Sequence, residues 1–152
     1  MGAGCAWGAA AGQNRIFLGS FPSVTGNGEK FVFEWCDRIW LAPTKGGTAQ
    51  CISGADTKCA RPVVSPDGRR VVFNSNRDGC ANYVYELDLA TGTTRRLSSN
   101  SEPTRPCLWA PGETNLVCMI ERDHAGKHAT RLASLSTTTV GAMPRVLFDL
   151  EA

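Results

Sequence analysis

The densest cluster of chemically capable side chains is Glu121-Arg122-Asp123-His124-Ala125-Gly126-Lys127-His128, which holds both histidines of the chain. On a helix, His124 and His128 would share a face and, with a carboxylate, could ligate a divalent metal. Gly126 interrupts that spacing, and the segment falls where a strand-to-strand connection is expected. A solvated loop is therefore the expectation, and no metal ligand is assigned. A nucleophilic triad needs a serine or cysteine reached by a histidine that a carboxylate orients. No Gly-x-Ser-x-Gly elbow occurs and both histidines lie in one segment, so no catalytic residue is assigned. The seven cysteines, Cys5, Cys36, Cys51, Cys59, Cys80, Cys107 and Cys118, contain no CxxC pair. That removes the usual zinc and thioredoxin-like signatures. Cys51 with Cys59, or Cys36 with Cys80, could pair in an exported protein, and the sequence leaves these alternatives open. Gly46-Gly47 and the glycine-rich leader lack the lysine-containing pattern of a phosphate loop, so no cofactor is implied.

The chain has 152 residues, 42% of them hydrophobic and 20% charged, enough for one folded domain with a real core. A net charge of +2 argues against nucleic acid as the main partner, because phosphate binding needs a concentrated basic face. The basic doublets Arg69-Arg70 and Arg95-Arg96 are expected at solvated strand ends. No apolar run of about 18 residues exists to span a membrane as a helix. Residues 1–14 are expected to be a flexible leader, small-residue-rich and without an intact signal peptide, so periplasm and cytoplasm both stay open.

What must position any site is a repeat. Ser65-Pro66-Asp67-Gly68 leads into Val71-Val72-Phe73, then Ser75-Asn76-Arg77-Asp78-Gly79, Tyr83 to Leu89, Thr91-Gly92 and Leu97-Ser98. Forty residues earlier, Pro22 to Gly28 stands against Pro62 to Gly68, and Phe31-Val32-Phe33 matches the apolar strand. In the third copy Ala110-Pro111-Gly112-Glu113 replaces the turn, and Leu116 to Ile120 forms the strand. Pro-Asp-Gly presets a turn, and a strand apolar at successive positions is covered on both faces. A period of about 40–50 residues with four short strands is propeller spacing. The expectation is an all-β β-propeller of three four-stranded antiparallel blades, about 21–53, 61–98 and 106–150, within a module of residues 15–152. Phe31, Phe33, Trp35, Trp40 and Trp109 are expected to pack between blades.

These turn and strand blocks resemble the WD-repeat-like propeller repeats of TolB and of the tricorn protease's propeller domains, across residues 21–150. The resemblance implies a propeller, commonly six-bladed, used for protein binding or for gating a separate catalytic domain. It also implies a site at the mouth of the central channel, where Phe21, Arg61 and Arg105 enter the innermost strands. The two arginines would suit acidic groups such as a terminal carboxylate; the competing expectation is that each pairs with a neighbouring carboxylate. The function expected is a non-catalytic scaffold for a protein or peptide partner, or else an accessory domain of a hydrolase whose catalytic part lies elsewhere. Three blades make half a ring, so a homodimer is expected to close it. Residues Asn14 to Ser20 are expected to cross to the partner's third blade; the rival is further blades supplied in cis.

Overall fold

The computed structural model describes residues 19–54, 57–79, 83–99, 103–124 and 127–150. Twelve strands form three four-stranded antiparallel sheets. The first holds β1 (Ser20–Val24), β2 (Lys30–Trp35), β3 (Arg38–Pro43) and β4 (Gln50–Cys51) in that order. The second holds β5 (Cys59–Val64), β6 (Arg70–Ser75), β7 (Tyr83–Asp88) and β8 (Thr94–Arg96). The third holds β9 (Thr104–Trp109), β10 (Asn115–His124), β11 (Lys127–Ser136) and β12 (Arg145–Leu150). Ser20 opens β1, and β12 fills the outer edge of the third sheet. The expected leader, including Asn14, lies outside the described residues.

The turn after each first strand shows why the repeats fold alike. In the second copy the Ser65 hydroxyl donates to Asp67, while the N–H groups of Arg69 and Arg70 donate to Asp67 Oδ1 and Ser65 Oγ. The first copy builds the same network with Thr25 and Asn27 in place of serine and aspartate. Gly28 and Gly68 take φ of 71° and 72°, the left-handed conformation that favours glycine. In the third copy Glu113 occupies that position at φ 56°. Its carboxylate reaches back to the second sheet, accepting from the Asp67 N–H at 3.1 Å and pairing with Arg70 at 2.7 Å.

Slight burial pushes the Asp67 carboxyl up, but the Ser65 hydroxyl, the Arg69 N–H and the charges of Arg70 and Arg69 outweigh it and hold it below its ordinary value. At the β7–β8 turn, the Thr91 N–H, the Thr91 hydroxyl and the Ala90 N–H lower Asp88 in the same way. Carboxylates depressed in the folded state stabilise above the unfolded value near about 3.9, and that contribution is lost as pH falls through the folded value. The melting temperature is therefore expected to drop below about pH 4. The double variant Asp67→Asn/Asp88→Asn, which keeps the acceptor oxygens, should flatten that drop. An unchanged acid profile would refute the turn networks as its source.

Strand alternation sorts each sheet into two faces. Val32 and Ile39 of the first sheet meet Cys59, Val64, Val71, Phe73, Tyr85 and Leu87 of the second. The other face of β6 and β7 supplies Val72 and Val84, which with Leu97 meet Trp109, Leu116, Cys118 and Leu135. The middle sheet is thus covered on both faces, as its apolar strands require. Trp109 packs between sheets as expected. Phe31, Phe33, Trp35 and Trp40 do not lie between the described sheets: they alternate with Val32 and Ile39 and so belong to the far face of the first sheet. Cys51 is paired with Trp40 on that face, whereas Cys59 is buried in the first joint, and both are free thiols.

Two other expectations change. Arg70 and Arg95 are not free solvated ends. Both ion-pair with the buried Glu86, Arg70 lies 4.6 Å from the centre of the Trp109 ring, and Arg95 donates to the Thr137 carbonyl. The histidine segment is not a loop along most of its length, because the β10–β11 ladder continues through Asp123–His128 and His124–Lys127. The third hairpin is simply longer than the second, so strand pairing extends into residues that the repeat pattern placed beyond it.

Candidate binding site

Each innermost strand carries an X-Pro pair at a break in its ladder. The register of β1 on β2 shifts between Ser20 and Ser23, enclosing Phe21-Pro22. That of β5 on β6 shifts between Ala60 and Val63, enclosing Arg61-Pro62. In β9 the break adjoins Arg105-Pro106, where pairing passes from Pro106 to Leu108. Proline has no N–H to give the ladder, so a bulge is the accommodation the backbone finds. Phe21 and Arg61 take φ of 52° and 54°. Left-handed backbone at a residue with a side chain is strained, and such strain collects at ligand clamps.

The three bulges converge. Phe21, Arg61 and Arg105 line one cavity of about 330 Å³, with Pro22, Pro62, Pro106, Ser23, Val63 and Met119 completing its wall. The guanidinium of Arg61 sits 5.0 Å from the Phe21 ring centre. The backbone N–H of Arg61 donates to Glu34 Oε2 at 3.1 Å. Among the described residues no carboxylate lies within ion-pair distance of the Arg61 guanidinium. Arg105, by contrast, is ion-paired with Glu121. One arginine thus follows the pairing alternative and the other does not. An arginine whose face rests on an aromatic ring keeps the N–H groups along its edge for a planar oxyanion, and the proline, valine and methionine walls suit an apolar body beside that anion.

The prolines were the unread signal, since X-Pro recurs at positions 22, 62 and 106, near the repeat period. Glu34 and Met119 gave none, because only the stacking of sheets brings Glu34 to the Arg61 N–H and Met119 to the cavity wall. Side chains at 122–124 and 127–128 lie outside those described.

Twelve antiparallel strands in three stacked four-stranded sheets, each entered through an innermost strand, define propeller blades. The chain carries β-propeller blades of the TolB and tricorn type. No protein-family model matches it. It is 38% identical to tricorn protease homolog 1 of Streptomyces coelicolor over 72 residues, 47% of this chain and 7% of that protein. It is 30% identical to a putative tricorn protease homolog 2 of the same organism over 129 residues, 81% of this chain and 11% of the relative. The solved structure of a putative TolB from Agrobacterium tumefaciens superposes with a TM-score of 0.75 at 19% identity, over 89% of this chain and 50% of that one. The chain therefore spans about a tenth of these curated relatives and half of that TolB structure.

Proposed function

We propose that the chain is a non-catalytic scaffold whose X-Pro cavity binds a protein or peptide partner through an acidic group. The carrying observation is the Arg61–Phe21 pair, a cation without a carboxylate partner among the described residues, presented on strained backbone into an apolar-walled cavity. The test uses a fluorescein-labelled peptide ending in leucine with a free carboxylate, beside its C-terminal amide. Arg61→Ala should weaken binding of the acid by about 10-fold or more, as loss of a charge-assisted bond implies. Equal binding of acid and amide would refute an anion site.

Two copies of the chain closing a six-bladed ring complete this reading. Two outer sheet faces have no partner blade among the described residues. Phe31 lies on one; Val117 and Met119 lie on the other, with Leu108, Phe148 and Leu150 exposed beside them. A two-fold axis would cover both with identical joints. Size exclusion with light scattering should give about twice 16.3 kDa; a folded monomer at micromolar concentration rejects the ring.

A second reading, an accessory or gating blade set of a hydrolase, is favoured by the names of the two tricorn protease homologues. Under it the catalytic groups lie outside these residues, and the same cavity meets the substrate chain.

A further inference from the structure

The two inter-sheet joints hold the same peptide unit by opposite ends. Glu34 and Asn74 occupy the fifth position of β2 and β6, matched by the repeat. Each side chain reaches the peptide that precedes the X residue of the next sheet's X-Pro pair. Glu34 accepts from the N–H of Arg61, at the Ala60–Arg61 peptide. The Asn74 amide instead donates to the carbonyl of Thr104, at the Thr104–Arg105 peptide. A carboxylate can only accept, so it draws the N–H; the Asn74 amide carries both a donor and an acceptor and here presents its nitrogen, which draws the C=O. Reversing which end of a peptide faces its partner turns that plane over and changes φ of the following residue. Arg61 has the positive φ, as does Phe21, which no described sheet precedes, and Arg105 is not among the residues that do.

We infer that Glu34 is a positioning residue for the binding cavity: its carboxylate holds the Ala60–Arg61 peptide turned over, and this places the Arg61 guanidinium on the Phe21 ring. The inference rests on the proposed reading of the cavity for its functional meaning, but not for its structural test. Arg105 joins the same cavity without that inversion and is taken up by Glu121. The hydrogen-bonding group presented at one strand position therefore distinguishes the arginine available to a ligand from the one that is taken up.

The experiment is NMR on the full chain with Glu34→Gln and Glu34→Met. Gln retains an acceptor oxygen at the same reach. Met keeps length without hydrogen bonding and is also the residue at the corresponding place in β10, Met119. Wild type and Glu34→Gln should show the strong intraresidue HN–Hα NOE of left-handed backbone at Arg61 and upfield ring-current shifts on its side-chain protons. Glu34→Met should lose both. Persistence of both signals in Glu34→Met would overturn the inference, because the bulge alone would then fix the geometry. Should that variant fold poorly, melting in the Arg61→Gly background decides: glycine adopts positive φ without strain, so Glu34→Met should lower the melting temperature much less there than with Arg61 present. Equal losses in the two backgrounds would also overturn it. The leucine-terminated peptide acid separates the two readings. Lost NMR signals with tenfold weaker binding support both, whereas lost signals with no wild-type binding uphold the positioning role and remove only the anion site.

Discussion

Gly26→Ala is expected to destabilise the protein by about 3 kcal/mol, the upper end for forcing atoms into a packed joint. A Cβ built on Gly26 would stand 2.2 Å from the carbonyl oxygen of Pro66, a backbone atom that no rotamer change can move. This is where the first turn abuts the second, and Thr25 flanks Gly68 in the same contact. For a chain of this size the shift should be about 6–12 °C in melting temperature. Gly54→Ala is the control: open space surrounds that Cβ and its φ is not positive, so the change should be near zero. Equal melting of the two variants would show that the turns do not meet.

Phe73→Ala should cost about 3–5 kcal/mol, because Phe73 is fully buried in the first joint and stacks on Tyr85 with ring centres 6.2 Å apart. Its loss removes apolar contact from both sheets and leaves a void that two rigid strands cannot close. Phe148→Ala makes the contrast. Phe148 is 64% exposed in the single chain, so truncating it should change monomer stability by less than about 0.5 kcal/mol. If two copies close a ring, the same change becomes costly and concentration-dependent, because that side chain lies on the face the partner would cover. Chemical denaturation at two protein concentrations separates the cases. A Phe73→Ala variant as stable as the parent would remove the joint from the account of what holds the sheets together.

The turn residues and the alternation of apolar strands were legible without coordinates because each acts locally. Pro66, Asp67 and Gly68 specify a turn through their own φ preferences and side-chain oxygens, and Val71-Val72-Phe73 announces a strand covered on both faces. Phe21, Arg61 and Arg105 could be picked out because the family resemblance implied a channel mouth at the entries to the innermost strands. Tertiary structure decided what each does there. The charge of Arg105 is taken up by Glu121, which lies opposite through strand pairing in the third sheet, while the backbone N–H of Arg61 is met by Glu34, which reaches across a joint between sheets. The partners of Arg70 and Arg95 depend likewise on Glu86 of β7 and, for Arg70, on Glu113 of the turn before β10. A sequence specifies turns and faces through neighbours a few residues apart. Charge pairing and peptide orientation are set by groups tens of residues away, which only the stacking of whole sheets brings within hydrogen-bond reach.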